Sequence, residues 1–217
     1  MNKEEIRARI KEIGIIPAVR LYSAEDARFA AEAVCSAGVP IVEVTMTVPG
    51  AVNVIYELTR QSPEVIVGAG TVLDVDTAHR CLDAGASFIT STGFDPEIVS
   101  FVLKRSAVVF PGACTPTEIL AAWRAGSDFV KVFPCSAMGG AGYIRALKGP
   151  FPQIPMIASG GVNQQTASDF IFAGADALGI GRDLIHQDAI RRREAGWIQE
   201  LARRYVRMVN EARSERK

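Results

Sequence analysis

Short apolar runs recur along this chain at nearly even intervals, and that regularity restricts its fold more than any other feature. Eight runs are centred on residues 15–19, 41–46, 65–70, 87–90, 107–112, 128–133, 154–159 and 176–181. Each has the length of a strand. The alanine-rich stretches between them, at 24–37, 51–61, 74–84, 95–105, 116–125, 140–148 and 163–173, are long enough for two or three helical turns. Strand and helix alternating from end to end is the pattern of a parallel sheet with crossover helices. A second periodicity overlies the first. The pairs Ala37-Gly38, Ala84-Gly85, Ala125-Gly126 and Ala173-Gly174 each precede a strand run, and their glycines stand 47, 41 and 48 residues apart. Glycine there suits the left-handed residue that ends a helix, and the spacing corresponds to two βα units. Four such double units close an α/β fold into a (β/α)8 TIM barrel, and 217 residues suffice for one barrel domain spanning residues 1–217. An open doubly wound sheet is the alternative, disfavoured because no G-x-G-x-x-G follows the first run. An N-terminal capping helix at 2–12 and a C-terminal helix at 194–213, with Trp197, Leu201 and Val206 on its apolar stripe, are expected to pack around the barrel.

Charge narrows the choice of partners. The 24 basic and 24 acidic side chains cancel, so no global field draws the chain to nucleic acid or to an anionic membrane. Residues Arg191, Arg192 and Arg193 are expected on a solvated face. The opening MNKEEIRARIKEI is amphipathic rather than an apolar signal core, and no stretch of 18 apolar residues occurs, which together predict a cytoplasmic protein with no membrane partner. Cys35, Cys81, Cys114 and Cys135 form no C-x-x-C pair, and His79 and His186 each lack a second histidine at ligand spacing. Neither a disulfide frame nor a metal site is therefore expected.

In a barrel of this kind chemistry belongs to the carboxyl ends of the strands and the loops that follow. Lys131, in DFVKVFP, places an ammonium inside a strongly apolar strand. A buried lysine must be paired or lose its proton, and the neutral amine is the nucleophile. In an unperturbed lysine roughly one amine in 2,500 is unprotonated at pH 7. Glu43, in IVEVTMT, is a second charge between apolar neighbours and is expected either to pair with Lys131 or to move protons as a general acid and base. An amine with a proton-shuttling carboxylate beside it is what a Schiff-base enzyme needs. Two glycine turns, Ser159-Gly160-Gly161 and Gly179-Ile180-Gly181-Arg182, follow the seventh and eighth runs, where barrels of this type often hold phosphate. Thr71, in GAGTVLD, is expected to reach the pocket while Asp74 caps the next helix. Thr115-Pro116 with Glu118 reads as a capping box.

Taken together, GIIPAVR, EVTMTVPGA, VGAGTVLD, FPGACTPTE, FVKVFPCSAMGGAGYIRALKGPFP, SGGVN and LGIGRDLI resemble, in order and over residues 10–190, the 2-keto-3-deoxy-6-phosphogluconate and 4-hydroxy-2-oxoglutarate class I aldolases. The resemblance implies a barrel assembled as a homotrimer, acting without a metal or other cofactor on a 2-keto-3-deoxy sugar acid phosphate to give pyruvate and an aldehyde. It further implies that Lys131 forms the Schiff base, that Glu43 is the general acid and base, that Thr71 lies near the pyruvyl carboxylate and that Phe133 lines the pocket. The turns containing Ser159, Gly160 and Gly161 and containing Gly181 and Arg182 would hold the distal phosphate. Four positions depart from the family pattern. Thr47 stands where many members carry a carboxylate-binding arginine, a role that Arg20 at the end of the first strand is expected to fill. Thr92 replaces proline, Ser159 replaces threonine and Arg182 replaces serine. The FPCSA stretch also resembles the phosphogalactonate branch, so the sugar acid stays open. A phosphosugar isomerase or epimerase, with Glu43 as base, and a non-catalytic barrel are the competing readings.

Overall fold

The computed structural model describes residues 1–215. Its strands are β1 (Ile15–Val19), β2 (Ile41–Thr45), β3 (Ile66–Gly70), β4 (Phe88–Thr90), β5 (Val108–Phe110), β6 (Gly112–Ala113), β7 (Val130–Val132), β8 (Met156–Ser159) and β9 (Ala177–Ile180), every pairing is parallel, and the order is β5-β4-β3-β2-β1-β9-β8-β7-β6. The expected fifth strand is thus divided. Pro111 has no N–H to give to a ladder, so the run breaks there, β5 pairing with β4 and β6 with β7. Because the two ends of the order are consecutive in the chain, the sheet closes on itself as a TIM-type barrel, and the Pro111 carbonyl still accepts the Lys131 N–H at 2.9 Å across the seam.

The helices are α1 (Lys3–Ile13), α2 (Ala24–Ser36), α3 (Ala51–Gln61), α4 (Val75–Asp83), α5 (Pro96–Lys104), α6 (Pro116–Arg124), α7 (Ala141–Lys148), α8 (Ala167–Phe172), α9 (Gln187–Arg191) and α10 (Ala195–Glu215). As the repeat predicts, Gly38, Gly85, Gly126 and Gly174 are left-handed, with φ of 86°, 99°, 91° and 109°. Asp74 caps α4, and Thr115 and Glu118 form the capping box of α6. The stretch 163–173 is helical only over α8, because the Asn163 side chain accepts from the backbone of Gln165 and Thr166 and holds those residues in a turn. The sequence also gave no sign of the 3-10 turn at Ser136–Met138. On α10 the buried face is Ile198, Leu201, Ala202, Tyr205, Val209 and Ala212, so the expected stripe was drawn about one residue off: Trp197 stays partly exposed.

Inside the ring, Phe88, Phe110 and Phe129 fill the amino-terminal half, their centroids 5.0 and 6.1 Å apart in sequence. Gly68 makes room for the first, since a Cβ there would lie 2.1 Å from the Phe88 ring. Helix α1 closes this end with Ile6, Ile10 and Ile13. Lys3 and Arg7 bind the buried Asp128 at 3.0 and 3.3 Å, and Asp128 in turn accepts the Val109 N–H at 2.9 Å. At the other end of the chain Arg213 of α10 donates to the carbonyls of Lys11, Glu12 and Asp176. The three arginines 191–193 are exposed, as expected, but Arg193 also pairs with Glu25 and Asp26 of α2 at 2.7 and 3.0 Å. Among the described residues no helix is long and apolar enough to cross a membrane, and the four cysteines are free.

Candidate active site

Strand alternation aims Lys131 and Glu43 at the barrel axis. Lys131 is the middle residue of β7, in register with Gly112 and Ile157, whereas Glu43 is the middle residue of β2, in register with Ala18 and Gly68. Their side chains are 7% and 3% exposed, and Nζ lies 3.7 Å from the nearer carboxylate oxygen. Each charge is the other's partner against the cost of burial. The separation is longer than a direct hydrogen bond, so the two groups face each other as an ion pair. Glycine sets the position of the carboxylate, because a Cβ on Gly70 would come within 1.9 Å of Glu43 Oε1. The Phe133 ring centroid stands 5.7 Å from Lys131 Nζ and gives the amine an aromatic wall.

These groups form the floor of a cavity of about 1100 Å³ at the carboxyl ends of the strands. Arg20, Thr47, Thr92, Phe133, Ser159, Gly160, Gly161, Gly181 and Arg182 line it with Lys131 and Glu43. Of the residues singled out in the sequence only Thr71 is absent from the wall. It touches the cavity at one remove, its hydroxyl accepting from Arg20 Nη2 at 3.2 Å, and its φ of 59° is unusual for a residue with a β-branched side chain. Arg20 therefore reaches from β1 over β2 toward β3. The small Thr47 leaves this path open, its hydroxyl 2.7 Å from that of Thr45, which bonds the Val19 carbonyl at 3.0 Å.

The adjoining sector, after β9 and β8, has a different character. Gly160 and Gly161 have φ of 85° and 86°, and a Cβ on Gly161 would lie 2.2 Å from the Ser136 hydroxyl, which donates to the Gly161 carbonyl at 2.9 Å. The N–H groups of Gly160, Gly161 and Val162 meet no protein acceptor among the described residues, and Arg182, exposed on the same wall, enters no hydrogen bond or ion pair among them. Unsatisfied donors and a free guanidinium converging on a cavity make a site for an anion.

Sequence reasoning missed several wall residues: Tyr22 after β1, and Asp183, His186, Gln187 and Asp188 after β9. His186 caps α9, its Nδ1 accepting the Asp188 N–H at 3.2 Å, with its ring stacked on Trp197 at 4.9 Å and 18°. The available signal was position alone, a polar His-Gln-Asp triplet on the catalytic face after the last strand. Near the site, burial pushes the Cys135 thiol up to about 12, which disfavours its thiolate.

Comparison with known proteins identifies the family. The 2-dehydro-3-deoxy-phosphogluconate aldolase of Treponema pallidum is 32% identical over 162 residues, covering 75% of this chain and 77% of that one. The KHG/KDPG aldolase of Escherichia coli K12 is 31% identical over 193 residues, covering 88% and 90%. A crystal structure of KDPG aldolase from Legionella pneumophila, with pyruvate captured at low pH as a covalent carbinolamine intermediate, superposes with a TM-score of 0.84 at 28% identity, covering 90% of this chain and 95% of that one. The family model described as KDPG and KHG aldolase matches residues 6–201, nearly the whole barrel with its amino-terminal helix. The chain therefore belongs to the KDPG and KHG aldolase family, whose members are carbon–carbon lyases.

Proposed function

We propose that this protein is a class I aldolase that cleaves 2-keto-3-deoxy-6-phosphogluconate, or a close 2-keto-3-deoxy sugar acid, to pyruvate and glyceraldehyde 3-phosphate. The observation that carries the reading is the buried Lys131–Glu43 pair at 3.7 Å on the cavity floor. In its amine form Lys131 attacks the C2 carbonyl, and the carbinolamine loses water to give a protonated imine. Glu43 takes the proton of the C4 hydroxyl, directly or through water. The C3–C4 bond breaks, the aldehyde leaves, and the bonding electrons pass through C3 to the imine nitrogen as an enamine. Protonation at C3 and hydrolysis then release pyruvate and restore the amine. The imine is the electron sink, so no step calls on a metal ion.

Two cationic positions on the cavity wall support a substrate that carries two anionic groups. Arg20, lying against Thr71, takes the carboxylate next to C2, and Arg182 with the turn at Gly160 and Gly161 takes the distal phosphate. The carbinolamine in the Legionella pneumophila enzyme supports the covalent step. Family membership displaces an isomerase or epimerase, and a barrel retaining the facing amine and carboxylate is poorly explained as non-catalytic. The test is borohydride reduction in the presence of pyruvate, followed by peptide mass mapping. A reduced adduct on Lys131, missing from Lys131→Ala, is the expected result. A folded wild-type protein that forms no adduct overturns the proposal.

A further inference from the structure

We infer that His186 is a specificity-determining residue of this site, its Nε2–H donating to the terminal phosphate of the substrate beside Arg182. The inference deepens the proposed function and rests on it.

His186 lines the same cavity wall as Arg182. Its Nδ1 accepts the Asp188 N–H at 3.2 Å, and a neutral imidazole that accepts at one nitrogen carries its hydrogen on the other. One oxygen of the Asp188 carboxylate is engaged by Arg191, and the other lies 3.7 Å from His186 Nδ1. The imidazole is also held from its face by Trp197, at 4.9 Å and 18°. A side chain fixed at two points loses little rotamer freedom when it binds a ligand. Capping α9 does not account for an imidazole here, because serine, threonine, asparagine and aspartate all cap better.

The geometry of the donors selects the ligand. The unpaired N–H groups at Gly160 and Gly161 come from the turn after β8, and the Arg182 guanidinium and the His186 ring from the connection between β9 and α9. A planar carboxylate accepts best within its own plane. A tetrahedral phosphate has three terminal oxygens pointing apart, and can meet donors from both segments at once. Asp183 and Asp188 also border this wall, so a terminal dianion there needs more than the one charge of Arg182 to be held.

Two variants separate this role from a structural one. His186→Asn keeps an acceptor for the Asp188 N–H, and His186→Phe keeps a ring on Trp197, while both lose Nε2–H. The measured quantity is kcat/KM for 2-keto-3-deoxy-6-phosphogluconate divided by that for unphosphorylated 2-keto-3-deoxygluconate. Both variants are expected to lower the ratio about tenfold, chiefly through KM for the phosphorylated substrate, as loss of one hydrogen bond to a charged group implies. A ratio unchanged in both, or lowered in the phenylalanine variant alone, overturns the inference, the latter because only the cap would then matter. Pyruvate trapping on the same wild-type preparation distinguishes the two levels. With an adduct present, an unchanged ratio removes the His186 assignment alone; with no adduct, the function falls and the inference with it.

Discussion

Gly70 shows how closely the catalytic pair depends on a missing side chain. Its Cβ would occupy the place of Glu43 Oε1, so Gly70→Ala must push the carboxylate off its position opposite Lys131. A displacement of about 1 Å typically costs on the order of 100-fold in turnover, and kcat in Gly70→Ala is expected to fall by that factor with the circular dichroism spectrum unchanged. Arg20→Ala should instead raise KM for the keto acid about tenfold, as loss of a charge-assisted bond to carboxylate implies. An unaltered KM would return the carboxylate to other residues. Lys131 and Glu43 were legible in the sequence because a charge within an apolar strand is costly and demands a reason. His186 was not, because its meaning comes from Trp197 and Asp188 folding around it, and a lone histidine among polar neighbours carries no such cost.

Among the elements, the capping box of α6 was readable letter by letter. Its Glu118 carboxylate accepts the backbone N–H groups of Thr115 and Cys114, which hold it below the usual carboxylate range. A depressed acid contributes stability above its unfolded pKa, and that contribution disappears as the pH falls through the folded value. Urea titrations of wild type and Glu118→Gln should therefore differ by a constant amount at neutral pH and converge under acid conditions; equal stability at pH 7 would remove the cap's contribution. Periodicity was less informative where tertiary packing chooses the face. The α10 stripe was misplaced because Trp197 lies against His186 rather than in the core, and the break at Pro111 depends on how the neighbouring strands share its residues.

For the molecule as a whole, eight alternations and four Ala-Gly pairs sufficed to identify a barrel, since each repeat buries itself only against its neighbours. The closure of its floor was out of reach of any local pattern, because Lys3 and Arg7 meet Asp128 across more than half the chain. Asp128→Asn removes the charge that holds α1 to the seam between β5 and β7. A loss of about 2 kcal/mol in urea-monitored stability is expected, reduced from the fully buried case because both cations are partly solvated. The hold of Arg213 on the carbonyls of Lys11, Glu12 and Asp176 has a consequence in time. The first helix is synthesised long before the residue that fastens its end, so during translation the emerging chain carries an unfinished ring whose last latch waits for residue 213 to clear the ribosome.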